Sequence, residues 1–142
     1  KGIVHPDDAR QARDAGIAAV VVSNHGGRTL DTVVPAASAL PRIVEALAGT
    51  MPVLVDGGIR RGTDVLKAVA LGASAVLIGR PYIHGLANAG AVGVAHVLRL
   101  LRDELEIAMA LSGCARLADA GTALLQHTNG GWMPASAYKS EA

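Results

Sequence analysis

Three times in this chain a short aliphatic run breaks into a glycine-bearing polar loop and then into helical periodicity. Ala18–Val22 runs into Ser23-Asn24-His25-Gly26-Gly27-Arg28, Pro52–Val55 into Asp56-Gly57-Gly58, and Ala75–Ile78 into Gly79-Arg80-Pro81. Runs this short, β-branched and without polar alternation predict buried strands of a parallel sheet. Strand, glycine loop and helix in strict succession predict parallel βα units, with function gathered at the carboxyl ends of the strands. Hydrophobic residues make up 51% of the chain, aromatics only 2%, and Phe is absent. That aliphatic mix suits helices on a parallel sheet better than a β-sandwich.

The intervening segments carry helix signals. His5-Pro6-Asp7-Asp8 offers a proline and a carboxylate cap for a helix over Asp8–Ala15, closed by Gly16. Ile43, Val44 and Leu47 mark one face of a helix ending near Gly49, with Pro41 expected in its first turn, where a missing N–H costs little. A third helix starts at Thr63 or Asp64 and is capped by Gly72, and a long one is predicted from roughly Ala91 to Leu111. A short helix is expected around Leu117–Leu125, and Thr128–Ala142 is expected to be a flexible tail.

The 142 residues are too few to close an eight-stranded barrel, which takes about 250. The number of βα units and the abrupt Lys1-Gly2 opening favour the back half of a larger barrel, over residues 1–127, followed by the tail at 128–142. A complete small α/β domain is the alternative. The formal net charge of +1 suggests neither a nucleic-acid nor a membrane-surface footprint, and no apolar run approaches the ~20 residues of a membrane span. A single cysteine, Cys114 at an expected helix end, excludes an internal disulfide and a thiolate metal cluster. It is expected to be a small buried residue in a reducing, cytoplasmic compartment.

Each strand end carries chemistry. At the first, His25 can take up a proton near neutral pH and Arg28 can grip a carboxylate with a planar fork, although a solvated turn would hold the same residues. At the second and third, glycines free backbone amides, an Arg follows and a helix starts. This is a phosphate cradle, or else two ordinary turns with surface arginines. Asp56, ending a buried strand, requires a partner: sugar hydroxyls, an amide or an Arg. Lys1 joins the same site if a strand precedes it, and is otherwise solvated.

Lys1-Gly2-Ile3, Ser23–Arg28, the run Asp56–Asp64 (DGGIRRGTD) and Gly79-Arg80-Pro81 resemble the FMN-dependent L-2-hydroxy acid oxidases and dehydrogenases. That family includes glycolate oxidase, lactate oxidase, lactate monooxygenase and mandelate dehydrogenase. The likeness runs from Lys1 to about Leu125. It implies oxidation of an L-2-hydroxy acid to the 2-keto acid, on strands five to eight of a (β/α)8 TIM barrel. Lys1 would stabilise negative charge at the pyrimidine edge of the flavin, and Ser23 would bond the same ring system. His25 would be the active-site base and Arg28 the carboxylate clamp. Asp56 would bind the ribityl chain, while Gly57, Gly58, Ile59, Arg60, Gly79 and Arg80 would hold the phosphate of FMN, with Arg60 also leaning toward substrate.

The same resemblance implies a companion N-terminal half, without which the segment is inactive, and a homo-oligomer, tetramer or octamer, with no metal. The loop before Lys1 is where relatives carry mobile lids or membrane-binding inserts. Two other readings compete. Another phosphate-binding barrel is one, although a nucleotide dehydrogenase needs a loop cysteine and Cys114 stands elsewhere. A non-catalytic sugar-phosphate-binding half-barrel is the other, and it has no use for His25 and Arg28 together.

Overall fold

Val20–Val22 (β1), Val53–Asp56 (β2) and Ala75–Leu77 (β3) lie side by side and parallel, in the order β1-β2-β3. These elements come from a computed structural model that describes residues 1–126. Val20 pairs with Val53 and Val22 with Val55, while Val55 pairs with Val76 and Asp56 with Leu77. The crossovers contain α2 (Ala36–Leu47) and α3 (Gly62–Ala70), with α1 (Pro6–Asp14) before β1 and α4 (Arg80–Leu111) after β3. The fold is α/β. Strand order follows chain order without the reversal that defines a doubly wound sheet.

The strands are buried on one face, not on both. Val20, Val22, Val53 and Val55 form one core with Leu40, Ile43 and Leu47 of α2. Val21 and Leu54, which alternate onto the opposite face, are only half-buried. An aliphatic run alone does not reveal which of its faces a neighbour covers.

The helices depart from expectation in two places. Pro41 is the sixth residue of α2, not part of its first turn, because the helix begins directly after Pro35. A mid-helix proline removes one backbone bond, and here the ring is buried beside Leu40 and Ile43, whose packing holds the helix. The long final helix begins at Arg80 and leaves helical geometry at Ala89 (φ −147°) and Gly90 (φ 57°). It is therefore two arms, 80–88 and 91–111, of which periodicity revealed the second. The arms meet where a Cβ on Gly93 would lie 1.9 Å from the Gly85 carbonyl oxygen, so only glycine fits.

Smaller differences follow local chemistry. α1 starts at Pro6 because the His5 side chain caps it, Nδ1 accepting from the Asp7 amide at 3.2 Å. The expected short helix near the end is two 3-10 turns, Leu117–Asp119 and Thr122–Leu124. Cys114 is buried, and its thiol donates to the Arg116 carbonyl at 3.1 Å. Residue 127 and the expected tail at 128–142 lie outside the described residues. Among the described residues no helix is long and apolar enough to cross a membrane.

Candidate active site

β1 delivers the chain into a left-handed loop. His25, Gly26 and Gly27 have φ of 54°, 68° and 73°, a run that glycine adopts freely and histidine at a cost of roughly 1–2 kcal/mol. The loop is held by its neighbours. The Asn24 side chain accepts from the Gly26 amide at 3.0 Å and donates to the Val34 carbonyl at 3.4 Å, while the His25 amide donates to Ser23 Oγ at 3.1 Å. Strain in a histidine held this firmly is a mark of functional sites. Gly2 leaves room for the ring, since a Cβ there would sit 3.2 Å from His25 Cε1. Arg28 closes the loop, donating from Nε to the His25 carbonyl at 3.4 Å. Its terminal nitrogens have no carboxylate partner among the described residues.

Beneath this loop Lys1, Ser23 and Asp56 form a polar knot. Gly2 and Ile3 bond to the edge of β1, which carries Lys1 to the carboxyl end of the sheet. Its Nζ donates to Ser23 Oγ at 2.9 Å and pairs with Asp56 Oδ2. Burial pushes the Asp56 carboxyl up, but hydrogen bonds from Lys1 and Ser23 and the charges of Lys1 and His25 outweigh it, holding the carboxyl below its ordinary value. The other oxygen, Oδ1, is buried and has no hydrogen-bond partner among the described residues. A buried orphan acceptor of this kind calls for a donor from outside.

The two Gly-Arg loops differ. Gly57 and Gly58 sit at φ 90° and 83°, exposing the loop backbone. The start of α3 is already satisfied, however: Asp64 Oδ2 accepts the Arg60 and Arg61 amides at 3.0 Å each, and Glu104 Oε2 accepts the Gly62 amide at 2.9 Å. α4 has no side-chain cap at Gly79, so its first-turn amides and positive end stay open.

All these strand ends surround one cleft of about 650 Å³, a size ordinary for a cofactor or small ligand. Lys1, His25, Arg28, Asp56, Arg60 and Arg80 line it together with the glycine loops and Ile59. Four fixed cations face one carboxylate, so the cleft favours an anion. Ser23, 1% exposed, lies behind its wall. The structure adds Gly2, Asn24, Tyr82 and His84 around the site. Asn24 carried a signal, the Asx-turn preference of Asn before glycine. Glu104 carried none, reading as one more charge on an exposed helix.

A family model described as FMN-dependent dehydrogenase matches residues 1–127. An L-lactate oxidase of Nostoc sp. is 57% identical over 125 residues, covering 88% of this chain and 34% of that protein. Glycolate oxidase 1 of Zea mays is 56% identical over 119 residues, covering 84% and 32%. Crystal structures of a mandelate oxidase, one with benzoyl-formic acid and one of a point mutant with the monooxide FMN adduct, match with TM-score 0.82 and 56% identity. They cover 84% of this chain and 36% and 38% of theirs. The chain spans about a third of the length of the curated relatives it matches.

Proposed function

Because the chain belongs to the family of FMN-dependent 2-hydroxy acid oxidases and dehydrogenases, we propose that it supplies the base, the carboxylate clamp and the phosphate cradle for oxidation of an L-2-hydroxy acid to the 2-keto acid. FMN is the cofactor of the family, and the residues of the cleft fit it. The orphan Asp56 Oδ1 suits a ribityl hydroxyl, while Gly57–Ile59, Arg60, Gly79 and Arg80 offer amides and guanidinium groups to a phosphate. Lys1, steadied by Ser23 and Asp56, would hold a positive charge beside the ring system. FMN, when bound, accepts the two electrons of the reaction.

The observation that carries this reading is the common loop of His25 and Arg28, opening on the same cleft as the Gly-Arg turns. Oxidising a hydroxyl-bearing carbon to a carbonyl removes a proton and a hydride equivalent, and the His25 imidazole takes up the proton. Arg28 orients the substrate by a two-point bond to its carboxylate from the nitrogens that its backbone contact leaves open. The strained loop fixes both side chains before substrate arrives. In this reading a companion N-terminal half-barrel would supply the rest of the pocket. The Ile3 bridge and the three strands are read together as one arc of a (β/α)8 barrel, about strands five to eight, in line with their unreversed order.

Anaerobic reduction of the complete holoenzyme by lactate, glycolate or mandelate tests the assignment. His25→Ala should retain FMN and lower the rate at saturation by about 10²–10⁴. Arg28→Lys should act chiefly by raising the concentration needed for saturation, because an ammonium cannot reproduce the fork. A His25→Ala enzyme reduced at the wild-type rate by its best acid would refute the base.

A further inference from the structure

We propose that Glu104, on the second arm of α4, is a positioning residue that holds the Gly57–Arg60 loop in its anion-binding shape. The proposal rests on the reading of that loop as part of the phosphate cradle. Glu104 lies 42 residues beyond Gly62 and outside the cleft lining, yet its two oxygens take consecutive residues of the loop's end. Oε2 accepts the Gly62 amide at 2.9 Å and Oε1 the Arg61 guanidinium at 3.1 Å. Asp64 takes the Arg60 and Arg61 amides from the other side. Three successive amides, 60 to 62, therefore face carboxylates, which leaves those of residues 57 to 59 for a ligand.

The packing repeats the message. A Cβ on Gly62 would lie 2.0 Å from the Leu105 nitrogen, so the start of α3 is seated directly on the α4 backbone. The other end of α4 carries Gly79 and Arg80. One helix thus supplies one side of the cradle and fixes the other. Its Ala89-Gly90 break lets both ends do so. Holding a loop in its bound shape lowers the ordering cost of binding.

The sign of the effect distinguishes this role from simple charge. An acidic group near an anion site should weaken binding, so its removal should tighten FMN. A positioning Glu104 predicts the reverse. The complete apoenzyme, titrated with FMN and with riboflavin, which lacks the phosphate, reads the difference. Glu104→Ala should weaken FMN roughly tenfold, the worth of one charge-assisted hydrogen bond, and leave riboflavin affinity unchanged. Glu104→Gln, which keeps a neutral acceptor for the Gly62 amide, should fall between; it carries the test alone if the alanine variant does not fold. An FMN-to-riboflavin preference equal to wild type or higher, or an equal loss of both flavins, overturns the proposal. Arg80→Ala is the control. If it too leaves the preference unchanged, the phosphate reading itself is wrong; if it alone lowers the preference, only the role of Glu104 falls.

Discussion

Asp56 sits between opposed forces: burial favours its neutral form, while Lys1, Ser23 and His25 together favour the carboxylate and prevail. A group whose native pKa is depressed stabilises the fold above its ordinary titration range and loses that contribution as pH falls through the lowered native value. Lys1 is 43% exposed at its side chain, so the pair contributes at most about 1 kcal/mol. Asp56→Asn in the complete protein should therefore be less stable than wild type at neutral pH. The gap should close as the solution is acidified below the ordinary aspartate range. Urea unfolding of both proteins across that range measures it, and a gap that persists undiminished in acid would place the effect in packing instead of charge. Lys1 entered through the family resemblance, whereas Ser23 and Asp56 were legible in the sequence because each stands at a strand end. The missing partner of Oδ1 was not, since orphanhood depends on where neighbouring atoms stop.

Elements were legible where periodicity was local. β1 to β3 and the 91–111 arm of α4 follow from aliphatic runs and apolar spacing alone. Pro41 misled because tertiary burial outweighs a lost backbone bond, and the 80–88 arm was masked by Pro81, Gly85 and Gly90, which speak against a helix when read singly. Glycines show the same gap between chain and space. Gly58 and Gly62 look alike in DGGIRRG, but Gly58 needs its glycine for φ 83° with open space around it, and Gly62 for contact with α4 at ordinary φ. Gly58→Ala should cost roughly 1–2 kcal/mol of left-handed strain. Gly62→Ala should cost more, upward of about 3 kcal/mol, because a backbone cannot rotate away as a side chain can. Chemical denaturation of the two variants decides the order, and the reverse order would mean that α3 and α4 are less tightly seated.

Across the whole molecule, the sheet's helix-free face sets the strongest constraint. Val21, Leu54 and Ala75 form one row on that face; the first two are half-buried and Ala75 is exposed. β3 has no strand beyond it among the described residues, and beyond β1 there is only the isolated bridge at Ile3. In a closed barrel that face would be the packed interior and both edges would be paired. Open edges on a short aliphatic sheet invite pairing with other copies. The chain of 142 residues expressed by itself should accordingly associate, bind a hydrophobic dye and unfold without a sharp transition. Co-expressed with the part of the 57% identical lactate oxidase outside the matching region, it should become soluble and yellow, with flavin bound across the joined parts. Sedimentation, dye binding and thermal unfolding of the lone chain carry the decision. A monomer that unfolds cooperatively without a companion would mean that the three-stranded sheet is self-sufficient, and the arc would have to be read as a small α/β domain in its own right.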